Sequence, residues 1–192
     1  MSVQEAAPVQ ITRYSFTVAE YQRMGQVGIF SEDDRVELVC GEIIEMSPIG
    51  ESHAACVGRL TQDITLMLLR SAIVWVQNPI VLDDYSEPQP DVAVLRPRAD
   101  FYGQAHPRPE DVLLIIEVSD ATLAYDRKIK VPLYARSGIP ETWIVNLPEE
   151  HIEVYADPAG GIYQMIESYS RGEEVQSHTL ASLRVPVSKV LG

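Results

Sequence analysis

The chain has only two cysteines, Cys40 and Cys56, in 192 residues. Two thiols are too few to staple a fold of this size with disulfides, so the sequence favours a reducing compartment and two small, mostly buried thiols. It also lacks an apolar run near the roughly 20 residues that span a bilayer, and Met1–Pro8 has no signal-peptide core. We therefore expect a cytoplasmic location and no membrane partner.

An excess of basic residues is also missing. The 15 Lys and Arg stand against 28 Asp and Glu, which gives a formal net charge of −13. Because Lys and Arg must neutralise phosphates, this balance argues against a protein that coats nucleic acid electrostatically. It still permits an enzyme that contacts phosphates only locally.

Several catalytic signatures are absent from the sequence. There is no glycine-rich phosphate loop, and no arrangement of Ser, His and an acid typical of nucleophilic hydrolases. His106, His151 and His178 lack the spacing of zinc ligands. The chemistry must therefore be sought among the acidic residues.

The apolar pattern predicts a mixed α/β layer fold, with residues 1–192 as one domain and residues 1–13 flexible. Thr17 and Glu20 form a capping box that begins a helix, and Gly41 lies between the two β-rich arms of a hairpin. The other predicted elements are a long helix over 50–70 with Ala54 on its buried face, a helix over 122–137 that Pro132 either begins or kinks, and strands at 73–77, 80–82, 91–95, 112–118, 142–147, 152–155, 162–166 and 175–180.

Two apolar runs each meet a carboxylate. The run Val112–Val118 contains Glu117, and Asp91 opens the run that ends at Leu95. Burying an ionised acid is costly unless a cation or hydrogen bonds compensate. Carboxylate oxygens suit Mg²⁺ or Mn²⁺, so both acids are candidate ligands of a hydrolytic metal. The alternative is that Asp91 caps a loop and Glu117 ends a strand in solvent.

Lys130 follows Glu117 on the next predicted helix. A lysine beside a metal can orient the attacking water and neutralise charge that develops on a phosphate. The alternative is a surface pair of Asp126 with Lys130 at i, i+4. Lys128 is a weaker candidate for the same role.

Three acids, Glu37, Glu42 and Glu45, alternate along the hairpin. In an amphipathic strand such acids usually form the solvated face, but Glu37 could instead complete the metal site as a further ligand or base. His53, at the start of the long helix, is interpreted as a surface residue, and Cys40 as a packing residue in an apolar strand.

Several short sequence blocks follow one another in an order that is a specific family signature, although each block alone is a weak one. They are Arg35–Leu38, Gly41–Pro48 with His53, Ser86–Asp91, Glu117–Ser119, Tyr125–Lys130, Tyr134–Ala135, Gly138–Glu141 and Trp143–Val145. In these blocks, over residues 14–185, the chain resembles the Uma-two family, bacterial proteins regarded as endonucleases of the PD-(D/E)xK, restriction-endonuclease-like fold.

The resemblance implies a restriction-endonuclease-like mixed β-sheet flanked by helices, with an N-terminal hairpin and additional C-terminal strands. Asp91 matches the aspartate of the PD element, and Glu117 matches the acid of the (D/E)xK element. Ser119 stands where that motif has its lysine, and Lys130 matches the family's substitute on the following helix. Glu37 matches the acid upstream of the PD strand.

The function implied by the resemblance is a Mg²⁺- or Mn²⁺-dependent phosphodiesterase or endonuclease with nucleic acid, DNA first, as a transient substrate. Asp91, Glu117 and Glu37 would hold the metal, and Lys130 would position water or stabilise charge. The alternative is a catalytically inactive nuclease-fold protein that serves as an acidic, dimeric interaction module. A homodimer is expected by analogy with symmetric cleavage of two strands. Residues left without a role are Glu45, His53 and Lys128.

Overall fold

The computed structural model describes residues 12–31 and 33–192, so the predicted flexible segment 1–13 lies almost wholly outside it. The first helix, α1 (Val18–Gln26), begins at the predicted capping box. The Thr17 hydroxyl accepts the Glu20 amide at 3.2 Å, and the Glu20 carboxylate accepts the Thr17 amide at 2.8 Å. The helix start is therefore confirmed.

The predicted hairpin is also present, with β1 (Val36–Val39) antiparallel to β2 (Glu42–Glu45). Its turn requires glycine, because Gly41 has a φ of +78° and a Cβ there would lie 2.7 Å from the Ser15 Cβ. Cys40 lies in this turn with its side chain exposed, so the prediction of a packed thiol is wrong for Cys40. The strand ends one residue earlier, which leaves Cys40 outside the core.

A six-stranded sheet forms the centre of the fold. Its strands are β3 (Ile73–Val76), β4 (Val92–Leu95), β5 (Val112–Ser119), β6 (Glu141–Asn146), β7 (His151–Ala159) and β8 (Ile162–Ser170). They lie side by side in chain order. The β5–β6 pair is parallel and the other four pairs are antiparallel. This mixed sheet, flanked by helices, confirms the predicted fold class.

Two regions differ from the predicted strands. Residues 80–82 form no strand, and their amides donate to three loop carbonyls, those of Pro88, Pro107 and Ser86. The predicted strand 175–180 is shorter and belongs to a second small sheet, whose strands are β9 (Glu174–Gln176) and β10 (Arg184–Pro186), followed by the helix α5 (Val187–Leu191). Neither β10 nor α5 was predicted, because such short elements carry no periodic signal.

The longest described helix is α2 (Glu51–Leu68), which packs on one face of the sheet. Ala54, predicted on its buried face, is exposed, because the buried stripe is centred on the Leu60 side and includes Cys56 and Asp63. Among the described residues, no helix is both long enough and apolar enough to cross a membrane.

Strand β5 contributes to both sides of the sheet. Ile116 packs in the cluster that contains α2, and Ile115 packs in the opposite cluster with Tyr134. Successive side chains of a strand alternate between faces. Glu117 therefore shares the face of Ile115, and it contacts Tyr134 there.

The predicted helix over 122–137 is built in three consecutive parts. They are α3 (Leu123–Tyr125), a π turn (Asp126–Lys130) and α4 (Val131–Arg136). Pro132 lies in the first turn of α4, one of its two expected positions. The Val131 amide donates to the Asp126 carbonyl, five residues back, and both Asp126 and Lys130 are buried. Single π turns of this kind are rare in proteins, and those that occur are often found at functional sites.

Replacing Ile116 with alanine tests the assigned core. Its side chain is fully buried, at 0% exposure, so Ile116→Ala should lower the free energy of unfolding by about 2–5 kcal/mol through lost burial and a residual cavity. Ile162 on β8 is 61% exposed and provides the matched control. Ile162→Ala should change the free energy of unfolding by less than about 1 kcal/mol. Urea titrations of both variants measure the difference, and equal losses would contradict the core assignment.

Candidate active site

A cavity of about 410 Å³ opens where the hairpin, the N-terminal end of α2 and the C-terminal end of β5 meet. Asp91, which directly precedes β4, and Glu117 on β5 both line it. Glu37 from β1 and Lys130 from the π turn line it as well. The structure thus brings all four residues singled out in the sequence to one cavity.

Asp91 is held by three hydrogen-bonding partners. Its Oδ2 accepts the Val118 amide at 2.9 Å and lies 3.0 Å from His53 Nε2. Its Oδ1 accepts the Gln77 amide side chain at 3.2 Å. Burial raises the pKa of Asp91, but the hydrogen bond and charge of His53, together with the other donors, outweigh burial and the net shift is downward. Asp91 is therefore an anion at neutral pH.

Glu117 is almost completely enclosed, with 3% of its side chain exposed. Its Oε1 accepts the Tyr134 hydroxyl at 2.5 Å and lies 3.2 Å from Lys130 Nζ. Its Oε2 lies 3.4 Å from the Asp91 amide. Burial raises the pKa of Glu117 to about 8, although Lys130 acts in the opposite direction. A further cation in the cavity would favour the charged form of this carboxyl.

Lys130 is the buried cation of the site, with 6% of its side chain exposed. Its Nζ lies 3.2 Å from an oxygen of Glu37 and 3.2 Å from an oxygen of Glu117. Burial lowers the pKa of Lys130, but the two carboxylates raise it by more. The residue bridges two buried acids rather than forming a surface pair with Asp126, while Lys128 is exposed.

Glu37 does not share the solvated face of the hairpin with Glu42 and Glu45. It is buried, whereas those two acids are exposed. Its Oε2 accepts the backbone amide of Gln89 at 3.0 Å, and its Oε1 accepts the Tyr125 hydroxyl at 3.3 Å. Glu37 therefore enters the site already paired, and Glu45 lines the cavity from an exposed position.

His53 was expected on the surface, but it lines the cavity and contacts Asp91. Only 16% of its side chain is exposed. The first turn of α2 places the imidazole beside the sheet end that carries Asp91. The sequence offers no spacing that links residues 53 and 91, so only the fold could bring them together.

Asp126 is a buried acid that the sequence interpretation left out of the site. Its Oδ2 accepts the hydroxyls of Ser119 and Thr122, both at 2.7 Å. Ser119, which stands where the motif has its lysine, thus donates a hydrogen bond to Asp126. The signal was present in the four-residue spacing from Asp126 to Lys130, which places both side chains on one helical face.

The donor chemistry of the cavity suits a hard divalent cation. Among the described residues, six carboxylates line it, those of Glu37, Glu45, Asp91, Glu117, Asp120 and Asp126. Across residues 12–31 and 33–192, no three His, Cys, Asp or Glu side chains are arranged as a ready metal cluster. Asp91 and Glu117 both line the cavity, and Mg²⁺ is often held by one or two carboxylates with waters and substrate phosphates.

Comparisons with known proteins agree with this fold. The model of the Uma-two (Uma2) family, described as "Putative restriction endonuclease", matches residues 18–188. A solved structure described as a putative nuclease belonging to DUF820 from Anabaena variabilis ATCC 29413 has a TM-score of 0.71 and 17% identity, covering 92% of this chain and 97% of that chain. At this identity the likeness shows the fold alone. No curated protein matches the chain significantly.

Removing the buried ammonium should destabilise the fold. Lys130→Met leaves Glu37 buried without its cation and takes a hydrogen-bond donor from Glu117, so it should lower the free energy of unfolding by about 3–5 kcal/mol. Lys128→Met, at the exposed neighbouring lysine, should change it by less than about 0.5 kcal/mol. The measurement is urea unfolding at neutral pH. Adding Glu37→Gln to Lys130→Met should cost less than the sum of the single changes, and strict additivity would contradict the pairing.

Proposed function

The chain belongs to the Uma-two family, and we propose that it is a divalent-metal-dependent phosphodiesterase that cleaves nucleic acid, with DNA as the first substrate to test. The observation that carries this proposal is the convergence of Asp91, Glu117 and Lys130 at one cavity. Three separate elements deliver two acids and an ammonium group to the same place. That combination supports metal-assisted hydrolysis of a phosphodiester.

In this proposal Asp91 and Glu117 hold Mg²⁺ or Mn²⁺. The bound ion would polarise a phosphoryl oxygen and lower the pKa of a bound water. Asp91 is oriented for this role by His53, Gln77 and the Val118 amide. Such supporting hydrogen bonds keep a ligand in position and reduce the reorganisation needed on binding.

Glu37 and Lys130 act as a pair. Contacts with Glu37 and Glu117 use two of the three N–H donors of Lys130. The third donor can orient the attacking water or neutralise charge on the phosphate. A direct role for Glu37 on the metal would require it to leave Lys130, so we assign Glu37 to holding that ammonium group in place.

A catalytically inactive, acidic interaction module, dimeric in its working form, is the second candidate. The net charge of −13 favours it, since a nucleic-acid surface is usually basic. Ser119 in place of the motif lysine favours it as well. The two candidates differ in metal uptake and in turnover, and both quantities can be measured.

Two isosteric variants test the enzyme proposal. Asp91→Asn and Glu117→Gln each remove a charged oxygen donor with little change in volume, and each should lower the Mn²⁺-dependent rate of DNA cleavage by about 100-fold or more. Glu174→Gln, at an exposed acid of β9, should retain the wild-type rate. Gel assays with supercoiled and linear DNA measure the rates.

The same variants separate the enzyme from the interaction module. Calorimetry should show Mn²⁺ binding to the wild type and weaker binding to Asp91→Asn. Equal nicking by wild type and Glu117→Gln would indicate a contaminating nuclease and would contradict the proposal. Absence of Mg²⁺ and Mn²⁺ uptake at millimolar concentration would favour the interaction module.

A further inference from the structure

The cavity has a second cation besides Lys130, and its surroundings differ. Arg35 directly precedes β1 and lines the cavity with a half-buried side chain. Lys130 is enclosed between two carboxylates, whereas the described residues place no carboxylate at salt-bridge distance from the Arg35 guanidinium. Within residues 12–31 and 33–192, Arg35 is thus a positive charge in an acidic cavity that no carboxylate pairs with directly.

The backbone around Arg35 is well anchored. Its carbonyl accepts the Met46 amide at 2.8 Å, which extends the hairpin by one pair. Its Nη1 donates to the Ser47 carbonyl at 2.9 Å. This single bond tethers the guanidinium beside the segment that follows β2, and that segment also lines the cavity.

A guanidinium carries five N–H donors in a planar fork, and the tether uses one of them. The remaining donors can form two parallel bonds to a phosphate, the geometry in which arginine is most effective.

The acidity of the cavity makes such a contact necessary. Six carboxylates of the described residues face a substrate that is itself a polyanion, so repulsion must be offset locally. The metal proposed at Asp91 and Glu117 offsets it at the reacting phosphate. A neighbouring phosphate needs a cation that is not already paired with a carboxylate, and among the residues that the structure describes Arg35 fulfils that requirement within the cavity.

We propose that Arg35 is a substrate-binding residue that holds a backbone phosphate of the nucleic acid next to the scissile one. The proposal rests on the function proposed above and specifies how an acidic protein takes up a polyanionic substrate. Because the contact is to a phosphate, it carries no sequence information. Its loss should therefore weaken binding to all DNA sequences equally.

The test compares Arg35→Ala with wild type in two measurements. Fluorescence anisotropy with labelled duplex DNA across a salt series should show weaker binding and a salt slope reduced by about one, the expected loss for one phosphate contact. Steady-state cleavage with Mn²⁺ should show a raised KM and a smaller effect on kcat, since Arg35 binds away from the reacting phosphate. Arg35→Lys should keep the slope but bind more weakly than wild type, because lysine cannot form the fork.

Arg96 offers a matched control, because its guanidinium also donates one bond to a backbone carbonyl, that of Glu110, at 3.0 Å. It lies outside the cavity, so Arg96→Ala should leave binding, salt slope and KM unchanged. Thermal unfolding of both alanine variants checks that each remains folded. A reduced slope in both variants would indicate a general charge effect and overturn the assignment of Arg35.

The outcomes also separate this inference from the proposed function. An active wild type whose KM and salt slope are unaffected by Arg35→Ala overturns the role of Arg35 and leaves the nuclease proposal intact. If the wild type binds DNA without cleaving it and Arg35 holds a phosphate, Arg35→Ala still has a smaller salt slope of DNA binding than the wild type. A wild type that neither binds nor cleaves DNA overturns both.

Discussion

The site depends on one buried ammonium group shared by two carboxylates. Lys130 lies 3.2 Å from oxygens of both Glu37 and Glu117, and all three side chains are almost fully buried. Each charge alone would be costly in this environment, and together they compensate one another. The contact joins β1, β5 and the π turn, so the geometry of the cavity depends on the same interaction that makes its charges tolerable.

Two local features place these groups. The alternation of side chains along β5 sends Ile116 to the α2 side and Glu117 to the other side, where Tyr134 donates to it. The π turn buries Asp126 and Lys130 together while Pro132 starts the next helical turn. The result is an acidic cavity in a protein of net charge −13, so any polyanionic substrate must be held by few and local cationic contacts.

Much of the fold followed from local pattern. The capping box at Thr17, the hairpin around Gly41 and the apolar strand that carries Glu117 were all predicted, because each has a signal within a few residues. The predicted burial of two residues was wrong. Cys40 lies one residue beyond the end of β1, and Ala54 lies outside the buried stripe of α2. The small β9–β10 sheet and α5 pack into the core cluster that contains α2, and segments of that length have too few residues for a periodic signal.

The sequence by itself determined which residue types are available: two acids in apolar runs, a lysine on the following helix and an arginine before the hairpin. Its motif order was also enough to indicate the family. Only the tertiary structure decided that Lys130 pairs with Glu37 and Glu117 rather than with Asp126, and that His53 contacts Asp91. Those pairings join residues distant in the chain, and their energies depend on burial and on interatomic distance, which no local pattern encodes.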